Sequence, residues 1–78
     1  MTHSFTIVVD HPMTDDELDR LYEAGGDDTT PEITDERTLV HFDRVAPTLA
    51  EAITSALFTI VTAQLAVIGV HAPDDVAA

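Results

Sequence analysis

Residues 52–73 read AITSALFTIVTAQLAVIGVHAP, without one Asp, Glu, Lys or Arg, in a chain whose formal charge is -12. The stretch is either a membrane span or two elements of a soluble core written end to end, and the choice decides the fold. A hydropathy window alone favours the span. Three features favour the other reading. On a helical wheel Leu49, Ile53, Leu57 and Ile60 share one side while Glu51, Thr54, Ser55, Thr59 and Thr62 share the other, whereas a spanning helix is apolar all round. After Gln64 the run Ala66-Val67-Ile68-Gly69-Val70 is rich in β-branched residues and is followed by Pro73, which fits a strand. No basic residue flanks either end to set an orientation. The stretch is therefore predicted to be a helix, a tight connection at Ala63 to Leu65, and a final strand.

Upstream, Phe5, Ile7 and Val9 alternate with Ser4, Thr6, Val8 and Asp10, the period of a strand with one buried face. His11 and Pro12 end it. A helix follows: Thr14 is placed as N-cap with Glu17 three residues on, Met13 and Leu18 as a hydrophobic staple, and Asp15, Asp16 and Glu17 where the helix dipole favours negative charge. Leu18, Leu21 and Tyr22 share its apolar face, and Gly25 or Gly26 supplies a left-handed C-terminal residue. Residues 27–43 then hold two β-capable runs around a polar turn near Thr34 to Glu36. In the second run Thr38, Val40 and Phe42 point one way and Leu39, His41 and Asp43 the other. The first run contains Pro31, whose missing N–H confines it to a sheet edge. Thr48 with Glu51 forms a capping box for the next helix.

The order is strand, helix, strand, strand, helix, strand. Right-handed crossovers place the first and third strands at the sheet centre, the fourth beside the first, and the second at the far edge. The predicted fold is α+β, a ferredoxin-like βαββαβ sandwich with two helices on one face of a four-stranded antiparallel sheet. It forms a single domain over residues 1–78, with residues 1–3 and 74–78 as flexible ends.

A domain of 78 residues is near the size at which one core yields only a few kcal/mol, and self-association would add to it. The absence of cysteine excludes disulfides, thiolate metal sites and a cysteine nucleophile, and is compatible with a reducing cytoplasm. The start MTHSFTIVVD has no basic region leading into a long apolar run, so no secretory signal is read. Fifteen acids against three arginines and no lysine repel phosphate backbones and anionic lipid, so neither direct nucleic-acid binding nor membrane binding is expected. The acidity suits solubility, a basic protein partner or adaptation to high salt, the last against the grain of a chain with large apolar segments.

The segments LDRLYEAGGDDTT (18–30), VHFDRVAPTLAEAI (40–53) and PDD (73–75) resemble recurrent text of a group of small actinobacterial and actinophage proteins of uncertain function. In that group an N-terminal ferredoxin-like domain is often followed by a helix-turn-helix, which implies a regulatory or antitoxin-like role. The sequence reaches PDDVAA where a DNA-binding half would begin, so DNA binding is not carried over from the resemblance. Where the group carries charge on the outer face of its second helix, this chain has Phe58, Thr59 and Thr62, which looks like a contact surface.

No phosphate loop, nucleophile elbow or H-E-x-x-H pattern appears. His41, Asp43 and His71 share the open sheet face, a combination that two histidines and a carboxylate make in metal sites, but ordinary surface polarity is the simpler account. His3 and His11, at the ends of the first strand, are read the same way, and no cofactor is expected. The pairs Asp15-Asp16, Asp27-Asp28 and Asp74-Asp75 are explained by capping and solvation. Arg44 is expected to pair with Asp43 or Glu51. What remains is surface: Val8, Leu39 and Val67 are placed as an apolar strip on the open face with Thr6, His41 and His71 around it, and Phe58 with Thr62 as a second contact face. The expected function is a non-enzymatic, self-associating protein-interaction or regulatory module. The alternative is an acidic antitoxin-like or DNA-mimic inhibitor of a basic protein.

Overall fold

The computed structural model describes residues 1–72. It contains β1 (Thr2–Val9), α1 (Asp15–Glu23), β2 (Thr29–Ile33), β3 (Thr38–Val45), α2 (Leu49–Thr62) and β4 (Val67–His71). One antiparallel sheet in the order β2-β3-β1-β4 carries both helices against one face, the ferredoxin-like arrangement. The charge-free stretch thus divides into α2 and β4. Among the described residues no helix is long and apolar enough to cross a membrane.

Alternation makes the core. Phe5, Ile7 and Val9 of β1 and Val40 and Phe42 of β3 meet Leu21 of α1 and Ala52, Ala56 and Ile60 of α2, all buried. Phe5 and Phe42 are cross-strand partners whose rings stack with centroids 5.3 Å apart, at a distance that adds to their burial. Both ends of β1 are tied down. Thr2 and His3 pair with Val45 and Arg44, and the Ala46 N–H donates to the Met1 carbonyl, so of the end expected at residues 1–3 Thr2 and His3 lie in β1. The expectation for 74–78, like the pair Asp74-Asp75, falls outside the described residues. At the other end Thr38 is fully buried. Its hydroxyl accepts from the Met13 N–H at 2.8 Å and donates to the His11 carbonyl at 3.0 Å, which fastens the β1–α1 connection to β3.

Helix α1 starts as predicted. The Thr14 hydroxyl accepts from the Glu17 N–H and the Glu17 carboxylate accepts from the Thr14 N–H, a complete capping box. At α2 only the first half is present, the Thr48 hydroxyl accepting from the Glu51 N–H. Both helices close alike. Gly25 N–H bonds to Tyr22 O and Gly26 N–H to Leu21 O; Gln64 N–H bonds to Val61 O and Leu65 N–H to Ile60 O. These are two Schellman turns, with Gly25 at φ 105° in the first and Gln64 at φ 62° in the second.

Three face assignments differ from expectation. Tyr22 is half exposed, so α1 buries Leu21 fully, Leu18 in part, and little else. Along α2 the buried stripe is Ala52, Ala56, Thr59 and Ile60, while Leu49, Ile53 and Leu57 flank it half-buried. Thr59, expected to face outward, lies inward because its hydroxyl has partners there, the Ser55 carbonyl and Arg44. Val67 faces the helices rather than the open face. A bulge between Val8 and Val9 pairs Val9 with Val67 but Val8 with Gly69, and the extra residue, Ile68, shifts the alternation by one.

Candidate functional site

The open sheet face brings His41, Asp43 and His71 together with Ser4 and Thr6. Thr6 of β1 has His41 on one side and His71 on the other as its register partners. The Thr6 hydroxyl lies 2.8 Å from His41 Nδ1, and the other ring nitrogen of His41 is 3.0 Å from Glu32 Oε1 on β2. Ser4 donates to Asp43 at 2.5 Å. These groups line a shallow cavity of about 310 Å³. Their polar atoms are directed at one another across the strands: both nitrogens of His41 and one oxygen of Asp43 are engaged. Among the described residues no three His, Cys, Asp or Glu side chains are placed to hold a metal ion.

The apolar strip expected on this face does not assemble. Val8 lies there beside Leu39 and Gly69, but is itself 3% exposed; Leu39 is half-buried; Val67 is on the opposite face. Val8 therefore offers almost no surface to a partner, and the bulge removes Val67.

The outer side of α2 is different. Phe58 is 73% exposed and Val61 67%, and Phe58 borders a groove with Ala50, Glu51, Thr54 and Ser55. Thr62 is also exposed but borders a second groove, with Arg20, Glu23 and Ala24 of α1, so it belongs to the seam between the helices. Beyond α2, β4 adds Ile68 at 58% and Val70 at 39% exposure. Val61, Ile68 and Val70 were not singled out by the sequence reading. The parity of Ile68 and Val70 relative to the bulge decides their exposure, and no single-residue pattern carries it.

Two charged networks hold the ends of the sandwich. Arg44 pairs with Asp28, not with Asp43 or Glu51: its Nε and one terminal nitrogen reach the two carboxylate oxygens at 2.8 and 2.9 Å, a bidentate fork. It also donates to the Gly25 carbonyl and to the Ser55 and Thr59 hydroxyls, and its guanidinium lies 4.9 Å from the centre of the Phe42 ring. The reason is position: residue 44 follows Thr38, Val40 and Phe42 on the helix-facing side of β3, whereas Asp43 points to the open face. With these partners filled, Arg44 is a structural anchor.

The second network runs from β1 to α2. His11 Nδ1 is 2.6 Å from Asp10 and Nε2 is 2.7 Å from Glu17. A ring with a carboxylate on each nitrogen donates from both only as imidazolium. The hydrogen bond to Asp10 first, and that to Glu17 next, hold the His11 pKa above its ordinary value. The Thr14 N–H is the largest influence lowering Glu17, and His11 adds to it. Arg20, 3.9 Å from Glu17, donates through Nε to the Ala63 carbonyl at the end of α2. His11 is thus a joint between β1 and α1. His3, by contrast, has a ring nitrogen shielded from solvent with no hydrogen-bond partner among the described residues.

Fold and surfaces together define a small acidic ferredoxin-like sandwich in which four of the eight exposed large apolar side chains lie on α2 and β4, while Met1, Tyr22, Ile33 and Val45 are spread over the rest of the described surface. Comparison with protein-family models, with curated proteins and with solved structures finds no match to this chain.

Proposed function

We propose that this chain is a non-enzymatic protein-interaction module of the cytoplasm that associates with itself in a regulatory setting. The observation that supports the reading is the coincidence of exposed apolar groups with absent charge. Phe58, Val61, Ile68 and Val70 stand out of a stretch without an ionised side chain, in a chain of -12. Elsewhere carboxylates keep copies apart; along this stretch that repulsion is weakest. The test is the molar mass by light scattering from low micromolar to millimolar protein. A mass that rises with concentration, and rises further when salt screens the net charge, supports self-association. A monomer throughout refutes it.

A second reading is favoured by a different surface. Asp15, Asp16, Asp19 and Glu23 are all exposed on α1, an acidic face suited to a basic toxin or nucleic-acid-binding surface. Binding to such a partner would weaken steeply with ionic strength, whereas apolar self-association would not.

A further inference from the structure

We infer that the free edge of β4 is the self-association surface, pairing antiparallel with β4 of a second copy about a two-fold axis at Gly69 and joining the two sheets into one. The inference rests on the reading of the chain as self-associating and assigns that property to particular residues.

The sheet has two edges, β2 and β4, and they are built differently. β2 contains Pro31, which has no N–H to give, and Glu32, and it runs into a turn bearing Asp35 and Glu36. Proline and charge are the usual devices that keep an edge from pairing with another chain. β4, Val67–His71, has neither. Its one irregularity is the bulge that leaves Ile68 without a partner on β1; Gly69, Val70 and His71 remain in register with Val8, Ile7 and Thr6.

Antiparallel pairing of β4 with itself at Gly69 sets Ile68 opposite the partner's Val70, a short ladder that ends at the bulge, beyond which Val67 faces the helices while His71 faces the open side. The two exposed apolar side chains of this strand, Ile68 at 58% and Val70 at 39%, thereby meet across the junction. The glycine on the axis has open space around it: a Cβ built there finds only His71 Nε2, at 4.0 Å.

Charge selects a second copy over other occupants. Two copies of -12 repel wherever carboxylates face each other, which disfavours the α1 face and the β2 edge. From Ala52 through His71 there is no Asp or Glu, so β4 brings none to the junction. A basic protein would instead be drawn to the acidic α1 face. Pairing along a five-residue strand is short, so the dimer is reversible and dependent on concentration.

The chain has no cysteine, so single introduced thiols report on proximity. Paired residues of an antiparallel ladder have Cα atoms about 4.5–5.5 Å apart, within the reach of a disulfide. At about 1 M salt, where the screening length is near 3 Å, Gly69→Cys is expected to cross-link to a dimer under mild oxidation, while Phe58→Cys stays monomeric. Ile68→Lys, which lowers the net negative charge, is expected to weaken association of the cysteine-free chain at least tenfold by sedimentation, with its circular dichroism unchanged. If Phe58→Cys cross-links and Gly69→Cys does not, the β4 assignment is overturned while self-association stands. If both cross-link equally, or Ile68→Lys associates as wild type, the assignment is likewise overturned. No association at any concentration removes both it and the function proposed above.

Discussion

Replacing Arg44 by lysine keeps the positive charge and removes the fork, which isolates what the geometry contributes. The Arg44 side chain is 14% exposed and that of Asp28 28%, so the pair lies between a surface ion pair, worth about 0–1 kcal/mol, and a buried one, whose disruption costs about 3–5 kcal/mol. Alanine at this position leaves Asp28 without its partner, takes donors from Gly25, Ser55 and Thr59, and strips the cation from Phe42, itself worth about 0.5–1 kcal/mol. The expected loss is about 2–4 kcal/mol for Arg44→Ala. For Arg44→Lys it is about 1.5–2 kcal/mol, because one ammonium cannot span both carboxylate oxygens. A domain of 78 residues has about 4–12 kcal/mol in all. Urea unfolding followed by circular dichroism reads these losses, as a midpoint lowered by about 1.5–2 M for the lysine variant at a slope near 1 kcal/mol/M. A cycle of Arg44→Lys and Asp28→Asn should return a coupling of at least about 1 kcal/mol. A lysine variant within about 0.5 kcal/mol of wild type, with coupling below that size, would refute the anchor.

Three further outcomes are expected. Gln64→Gly should stabilise by about 0.5–1 kcal/mol and raise Tm by about 4 °C, since Gln64 holds φ 62°, a conformation that costs a side chain more than it costs glycine. Gly26→Ala should destabilise by about 1–3 kcal/mol in the same urea assay: the added Cβ lands 2.7 Å from the Leu21 carbonyl, a backbone atom that cannot step aside. The His11 joint should respond to pH from both sides. Its raised pKa makes its stabilisation complete below the ordinary imidazole value of 6.5 and lost as pH rises through the raised one; lowered Glu17 contributes above 4.5 and loses its share as pH falls below that. The stability gap between wild type and His11→Asn is therefore expected to be widest between those values and to close toward alkaline pH. A gap that widens above pH 7 would contradict the imidazolium bridge.

Periodic signals made the fold legible. The alternation of Phe5, Ile7 and Val9 and of Thr38, Val40 and Phe42 was sufficient for β1 and β3, the Thr14–Glu17 box for the start of α1, and the crossover rules for the strand order. The candidate surfaces were legible only in part, for three physical reasons. A bulge breaks the parity on which alternation depends, and so moved Val67 to the core side. A threonine counts as polar on a helical wheel, yet Thr59 is buried by the hydrogen bonds it makes, which no wheel contains. The partner of Arg44 lies sixteen residues away in the α1–β2 connection, and only the completed fold brings Asp28 closer than the neighbouring Asp43. Phe58 was legible because nothing tertiary intervenes at that position, where the side chain stands 73% exposed on the outer side of α2.

The position of β1 bears on how the chain acquires its shape in time. Thr6 sits between His41, 35 residues later, and His71. β1 therefore leaves the ribosome before every other element of the sandwich, yet pairs with β3 and β4, which are made after it. Until β3 emerges, β1 is an apolar segment with two open edges, and its second edge is closed only by the final strand. Folding with such distant pairings is slower than that of helical bundles built from local contacts and falls between those and all-β domains. During that interval the many carboxylates of -12 repel neighbouring nascent chains.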